Sequence, residues 1–271
     1  MFMIKKLRKL SRSAKIRYAL IVAGILLFLP PLSVIPQLFS GTRFCGSLCM
    51  RMFLTLKPTW NVISATFAGV GLTVSVLAVT FFFGRLWCSH FCPIGGASEL
   101  SSKLVPEKFK LDYTHVSAPS VRYGYFLVFL LAPLFGIGSL CCRLCNFSVV
   151  PQALSAPMDG ASMAFLFTSL GALSFSFFVL LGPLSLGGRG YCNFMCPVGA
   201  MDSLMNLLGS RLGFRRMKVD KSKCTGCGKC RKVCPVWAIA SENNVANISQ
   251  ASCISCGKCK DACSWRAIGN A

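Results

Sequence analysis

The sequence predicts an α-helical membrane protein: a four-helix bundle made of two tandem repeats, followed by a small α+β domain at the C-terminus. Three observations lead to this prediction. The 271-residue chain is 54% hydrophobic and only 14% charged, which is too apolar for an ordinary soluble domain. Its apolar residues fall into long stretches, and its 17 cysteines recur at repeated spacings.

Four apolar stretches approach the roughly 20 helical residues that a hydrocarbon core requires. We expect membrane spans at Tyr18–Phe39, Val62–Phe83, Tyr123–Leu140 and Met163–Leu186. The residues before the first span are rich in Lys and Arg and contain no acid, which predicts a cytoplasmic N-terminus in a bacterial or archaeal inner membrane. With four spans, the C-terminus is cytoplasmic as well.

The membrane part is an internal duplication. The segment Gly84–Gly95, which reads GRLWCSHFCPIG, matches Gly188–Gly199, which reads GRGYCNFMCPVG. Each half therefore contains a span, a CxxxC pair, a second span and a CxxxCP motif. The predicted organisation is a basic N-terminus at 1–17, repeat one at 18–104, a cytoplasmic loop at 105–120, repeat two at 121–208 and a cytoplasmic domain at 218–271.

The strongest chemical signal lies in the C-terminal domain. From Cys224 the chain reads CTGCGKCRKVCP, the C-x2-C-x2-C-x3-C-P run of bacterial two-cluster ferredoxins, and a second run starts at Cys253. Zinc and disulfides are the alternatives, and a reducing cytoplasm and the trailing Cys-Pro disfavour both. Because the fourth cysteine of each run ligates the other cluster, the spacing predicts two [4Fe–4S] clusters in a ferredoxin-like domain. The first is assigned to Cys224, Cys227, Cys230 and Cys263, and the second to Cys253, Cys256, Cys259 and Cys234.

Two further sets of cysteines are expected on opposite faces of the membrane, because consecutive spans alternate in direction. The inner set is Cys88, Cys92, Cys192 and Cys196; the outer set is Cys45, Cys49, Cys141 and Cys145. The i, i+4 spacing of the inner pairs predicts a four-thiolate metal site, with inert buried thiols as the alternative. For the outer set, a metal site and disulfides stay equally open. One or two further iron–sulfur clusters are therefore expected as candidates at these two sets. Cys142 belongs to none of the four cysteine sets and is the weakest candidate ligand.

Three ionisable residues beside the inner cysteines are candidate proton acceptors for quinol oxidation: His90, Glu99 and Asp202. The alternative for each is a merely solvated side chain. Haem is not expected, since the chain has two histidines, neither of them in the middle of a span, and no CxxCH motif. Nucleic-acid binding is not expected either, because the net charge of +21 follows the positive-inside pattern.

Taken together, the four spans, the duplicated CxxxCP motifs and the two cluster runs resemble the NapH-type membrane ferredoxin proteins, the MauN proteins and the membrane domain of NosR. The likeness covers essentially the whole chain, although the outer CxxxC pairs depart from the NapH pattern. The resemblance implies a quinol dehydrogenase-type electron-transfer subunit. Such a subunit takes electrons from the membrane quinone pool and passes them toward a periplasmic redox system through a ferredoxin-type or cytochrome partner.

Two other functions stay open at this point. The chain could be a redox-sensing or maturation factor for a periplasmic metalloenzyme, with clusters that respond to electron supply. It could also be a structural anchor that docks a soluble dehydrogenase through its basic C-terminal domain. Reduction of the clusters by quinol would distinguish the leading function from the first alternative, and the effect of replacing Cys88 and Cys192 would distinguish it from the second.

Overall fold

The computed structural model describes residues 11–28, 67–132, 135, 144–157 and 160–270. The helices that precede the C-terminal domain form mostly in apolar stretches of the sequence. They are α1 Arg12–Phe28, α2 Phe67–Phe83, α3 Pro93–Ser102, α4 Ala118–Leu131, α5 Asn146–Ser155, α6 Gly160–Phe167, α7 Ser169–Leu181, α8 Gly190–Phe194 and α9 Pro197–Arg211. Helix α1 packs on α3, and α9 packs on both α2 and α4.

Within the described residues, no single helix is both long and apolar enough to cross a membrane. Helices α6 and α7 meet the length and composition requirement together, but they are bent by 84°. The expected uninterrupted span from Met163 is therefore broken, because Thr168 starts a new helix by accepting a hydrogen bond from the Gly171 N–H at 3.1 Å. Helix α5, which contains Pro151, was not predicted from the sequence.

Arg216 holds the end of α2, the helix that leads into the first CxxxCP motif. Its guanidinium donates to the carbonyl oxygens of Thr80 at 2.9 Å, Phe81 at 2.8 Å and Phe82 at 3.1 Å. The last carbonyls of a helix lack partners within it and carry partial negative charge, so a buried cation is a favourable cap there. The segment that leads into the C-terminal domain thereby caps the end of a predicted membrane span.

Both CxxxCP motifs fold as a short helical turn followed by a new helix. Cys88 lies in a π-helical turn at Trp87–Phe91, and Cys192 lies in α8. Cys92 and Cys196 cap α3 and α9. The Cys92 sulfur accepts from the Gly95 N–H at 3.5 Å, and the Cys196 sulfur accepts from the Gly199 N–H at 3.3 Å. Proline is favoured at the first helical position. Each pair therefore spans a helix break, which differs from the single helical face expected from i, i+4 spacing.

The C-terminal domain is a small α+β unit with internal pseudo-symmetry. Strands β1 (Met217–Val219) and β4 (Ile268–Asn270) pair antiparallel, with Met217 opposite Asn270, and β2 (Ile239–Glu242) forms a hairpin with β3 (Val245–Ile248), with Ile239 opposite Ile248. A short helix follows the first three cysteines of each run: α10 at Lys229–Val233 and α11 at Lys258–Ala262. The core between strands and helices contains cysteines together with Val236, Ile248 and Ile254.

This domain docks directly on the helical part through backbone carbonyls. Asn193 donates to the Val236 carbonyl oxygen at 3.0 Å, Arg122 to that of Ala251 at 2.7 Å, and Asn206 to that of Gln250 at 2.6 Å. These polar side chains are almost fully buried, so the docked geometry satisfies groups that would otherwise be costly to bury.

Gly187 offers a direct test of this docking. Its φ is +87°, and a Cβ added there would meet the Pro235 Cα at 2.6 Å. We expect Gly187→Ala to lower the free energy of unfolding by about 1 kcal/mol from backbone strain and by about 1–3 kcal/mol more from overpacking. Thermal unfolding of the purified protein measures the difference.

Gly213→Ala is the matched control, because Gly213 has a φ of +83° and nothing within 4 Å of an added Cβ. It carries the backbone strain without the clash. Equal destabilisation by the two substitutions would show that the close approach of Pro235 contributes nothing.

Candidate iron–sulfur centres

The eight cysteines of the two C-terminal runs line two separate cavities. The first is lined by Cys224, Cys227, Cys230 and Cys263. The second is lined by Cys234, Cys253, Cys256 and Cys259. The structure therefore brings these cysteines together in the crossed arrangement expected from the spacing, with the last cysteine of each run in the other run's cavity.

The loops around the cavities are shaped to hold sulfur atoms. Gly226 and Gly228 in the first run, and Ser255 and Gly257 in the second, have positive φ at matching positions. Backbone N–H groups point at three cysteine sulfurs: Ala246 to Cys224 at 3.5 Å, Ala238 to Cys234 at 3.3 Å and Ser255 to Cys253 at 3.4 Å. Four thiolates with amide donors suit a [4Fe–4S] cluster, so the residues present fit that group.

The two cavities differ in their exposure to solvent. Cys227 in the first cavity is exposed, whereas Cys253 and Cys259 in the second are buried. The backbone N–H of Lys229 lowers the pKa of Cys227, while burial raises the pKa of Cys234 to about 12. In the absence of metal such a thiol stays protonated at neutral pH and is a poor nucleophile.

Glu99 is the centre of a buried ionic network that no sequence motif predicts. Its carboxylate accepts from Arg17 Nη2 at 2.5 Å, Arg189 Nε at 2.8 Å and Lys258 Nζ at 2.7 Å. Burial alone would raise the pKa of Glu99, but these three cations outweigh it and hold the pKa well below 4.5. Glu99 is therefore ionised at neutral pH, which makes it an anchor for cations more than a proton acceptor.

Asp202 on α9 is a second buried carboxylate, one position before Ser203, the residue that matches Glu99 in the repeat. It accepts from Arg85 Nε at 3.0 Å, from the Thr80 hydroxyl and from the Cys88 thiol at 3.2 Å. Arg85 and Arg189 occupy matching positions in the two repeats, and each reaches a carboxylate of the opposite repeat. Both arginines are 1% exposed, so they do not extend to solvent as terminal span residues usually do.

The same two arginines flank the inner cysteines. Arg85 lies beside Cys88 and Cys196, and Arg189 lies beside Cys92 and Cys192, which brings the four cysteines into one electropositive region. Arg189 Nη2 has no hydrogen-bond partner among the described residues, and it is available to an anionic sulfur. No group of three or more His, Cys, Asp or Glu in the described part of the chain is arranged closely enough for a single metal ion.

The remaining candidates fall in different places. Cys145 is buried at the start of α5, whereas Cys45, Cys49, Cys141 and the extra Cys142 lie outside the described residues. His90 is half-buried, and its Nδ1 lies 2.5 Å from the Ser89 hydroxyl. Burial and the nearby Arg17 lower the pKa of His90, which keeps its imidazole neutral at neutral pH.

Iron–sulfur domain models match the stretches of the chain that contain the inner and the C-terminal cysteines. A 4Fe-4S binding domain model matches residues 65–112, and two 4Fe-4S dicluster domain models match residues 188–238 and 216–264. The ferredoxin-type protein NapH of Escherichia coli is 29% identical over 171 residues. The methylamine utilization ferredoxin-type protein MauN of Methylobacillus flagellatus is 27% identical over 202 residues. The chain is thus similar to the NapH and MauN ferredoxin-type proteins.

The extent of these matches differs between relatives. The NapH alignment covers 63% of this chain and 54% of the E. coli protein, and the MauN alignment covers 70% and 66%. The alignment with an uncharacterized protein of Methanocaldococcus jannaschii, which is 24% identical over 240 residues, covers 86% of this chain and 75% of that protein. The chain thus spans about half of the E. coli NapH protein, and no solved structure matches it. The three domain models support a ferredoxin-type 4Fe-4S electron-transfer protein.

Glu99→Gln tests the ionic network. The amide keeps the size of the side chain but removes the charge that balances three buried cations, and breaking a buried ion pair costs about 3–5 kcal/mol. We expect the loop at 253–258 to detach from the helical part, which faster hydrogen–deuterium exchange in that loop would report. Glu107→Gln, at an exposed position in the turn Glu107–Phe109, is the control and leaves exchange unchanged.

Serine substitutions test the crossed ligand sets. In the crossed arrangement Cys263→Ser damages the same cluster as Cys227→Ser, and Cys234→Ser damages the same cluster as Cys256→Ser. The EPR spectra of the reduced variants should therefore match in these pairs. Spectra that pair Cys234→Ser with Cys227→Ser would contradict the crossing and assign each run to its own cluster.

Proposed function

We propose that this protein is a membrane-bound quinol dehydrogenase subunit that oxidises quinol and passes the electrons through its iron–sulfur clusters toward a periplasmic redox partner. One observation supports the proposal above the others. Cys88 of the first CxxxCP motif belongs to the same buried apolar cluster as Cys230, Cys253 and Cys259, and Trp87 packs against it. The inner cysteine region and the two cluster cavities therefore form a continuous series of sulfur sites.

In this function the clusters supply one-electron acceptors and donors, held by the two crossed sets of four cysteines. The chain's own residues position them. Asn193, Arg122 and Asn206 fix the second cavity's loop against the helical part, and Lys258 ties the same loop to Glu99. Electron tunnelling falls steeply with distance, so a rigid contact between the domain and the inner cysteines is what this function requires.

Oxidation of one quinol releases two electrons and two protons, and the protons need an acceptor near the membrane surface. Among the three predicted acceptors, His90 is best suited, because it is neutral, half-exposed and joined to Ser89. Asp202 is already the acceptor of three hydrogen bonds, and Glu99 is balanced by three cations. We propose that His90 takes the first proton and passes it to solvent.

The contacts of α1 support a topology in which both ends of the chain lie on the cytoplasmic side of an inner membrane. Ser11, which immediately precedes α1, donates to Asp261 of the C-terminal domain at 2.5 Å. Arg17 joins α1 to α3 through Glu99, which also holds Lys258. The start of the first predicted span and the C-terminal domain therefore lie side by side, as the positive-inside prediction requires.

The iron and acid-labile sulfide content of anaerobically purified protein tests this proposal. Two cubane clusters give about eight irons per chain; about twelve would add a cluster at the inner cysteines, and about sixteen would add one on the outer face as well. A quinol analogue should reduce the clusters in a form that EPR detects. Clusters that dithionite reduces and quinol does not would favour the sensing or maturation role instead.

The double substitution Cys88→Ser/Cys192→Ser separates an active inner site from inert thiols. We expect at least a tenfold slower reduction by quinol, with the dithionite-reduced EPR signals of the C-terminal clusters retained. Cys142→Ser, which replaces the cysteine that belongs to none of the four sets, is the control and should leave the quinol rate within twofold. An unchanged rate in the double variant would exclude the inner cysteines from the electron path.

A further inference from the structure

The two cluster loops of the C-terminal domain are related by sequence, yet they face different surroundings. Lys229 and Lys258 occupy the same position in the two runs, directly after a glycine and before the third cysteine. Lys258 is held by the buried carboxylate of Glu99 at 2.7 Å. Lys229 is exposed and lies 3.4 Å from the Ser264 hydroxyl. One loop is docked on the helical part and the other faces solvent.

The same asymmetry holds for the cysteines and their neighbours. Gly84 at the end of α2 approaches Ser255 so closely that an added Cβ would lie 2.4 Å from its hydroxyl oxygen, which buries the second loop. The first cavity, in contrast, contains the exposed Cys227, and Trp265 on its rim is 60% exposed. The first cavity is therefore the end of the sulfur series that another protein can approach.

The surface around the first cavity is strongly basic. Lys223, Lys229 and Arg231 line the cavity, and no Asp or Glu is among the residues that line it. Four more exposed cations lie within two residues of the lining: Lys218, Lys221, Lys232 and Arg266. Four carboxylates offset part of this charge. Asp220, which pairs with Lys223 at 3.1 Å, Glu242 and Asp261 are exposed within two residues of the lining, and Asp112 lies within electrostatic range of Arg231. The face keeps an excess of positive charge.

We propose that this face, centred on Cys227, docks a soluble, acidic one-electron carrier protein on the same side of the membrane as the two chain termini. Charge complementarity decides the partner, because a basic face around a redox centre attracts and orients an acidic protein. This proposal rests on the iron–sulfur part of the proposed function and not on quinol oxidation. It adds a second electron exchange point, distinct from the quinone and from a periplasmic partner.

The step is the transfer of one electron between two proteins. A reduced carrier loses one electron, and the cluster held by Cys224, Cys227, Cys230 and Cys263 gains it. No bond forms or breaks and no proton moves. Lys229 and Arg231 orient the carrier protein. The exposed edge at Cys227 lets the carrier come close to this cluster site.

Stopped-flow mixing of the oxidised full-length protein with a reduced, acidic plant-type [2Fe–2S] ferredoxin tests the proposal. The second-order rate constant should fall as ionic strength rises, because salt screens the attraction. Lys229→Glu/Arg231→Glu should lower the rate constant at low salt by about tenfold or more. A positively charged cytochrome c, used as a probe of opposite sign, should show the reverse effect of the substitutions.

Lys260→Glu is the matched control, since Lys260 occupies in the second run the position that Arg231 occupies in the first and is also exposed. It should change the rate constant by less than twofold. Rate constants that are independent of salt, or lowered equally by Lys260→Glu, would overturn the proposal in favour of a general charge effect.

Two further measurements distinguish this proposal from its competitors. Equilibrium binding of the oxidised ferredoxin to the full-length protein in neutral-lipid nanodiscs requires no electron transfer, so it separates loss of docking from loss of clusters or of quinol oxidation. We expect binding that Lys229→Glu/Arg231→Glu weakens about tenfold. If the same variant instead loses association with anionic vesicles and keeps its ferredoxin rate, the basic face binds lipid headgroups and the carrier proposal is wrong.

Discussion

The fold depends on a single buried carboxylate that holds three parts of the chain together. Glu99 on α3 binds Arg17 from α1, Arg189 from the second repeat and Lys258 from the C-terminal domain. An isolated buried charge is expensive, and removal of one partner from such a network leaves the others uncompensated. The position of the second cluster loop relative to the helices is thus determined by electrostatics more than by apolar packing.

The arrangement has a consequence for the cysteines. Five arginines are 1% exposed or less (Arg17, Arg85, Arg122, Arg189 and Arg216), and Glu99 and Asp202 are the carboxylates of the described residues that are comparably buried. The surplus of buried positive charge needs negative partners, and the thiolates of iron-bound cysteines would supply them. Arg85 and Arg189, each reaching across to the opposite repeat, place that charge beside the inner cysteines, where it would stabilise thiolates or an electron-rich cluster.

Most of the cysteines with a chemical role could be predicted from the sequence, but little of the geometry that holds them could. The ferredoxin runs have spacings that few other structures use, so the grouping of the eight C-terminal cysteines could be predicted. The duplication could be predicted as well, because the CxxxCP motifs mark it. The salt bridges of Glu99 could not be predicted, because its partners lie 82, 90 and 159 positions away and no local pattern encodes such contacts. The break between α6 and α7 was also missed, since an apolar run looks the same whether its helix is straight or bent.

The inner pairs show most clearly why spacing is an incomplete guide. Cysteines four residues apart suggested one helical face, yet a proline directly after the second cysteine makes that cysteine a helix cap in both repeats. A capping sulfur accepts a backbone N–H of the new helix. The first cysteine of each motif lies in the preceding turn, where Cys88 contacts Asp202 and Cys192 lies close to Gly95, each in the opposite repeat. The repeated CxxxCP motif therefore connects the helical part to the C-terminal domain, and the cysteines and the docking contacts depend on the same few residues.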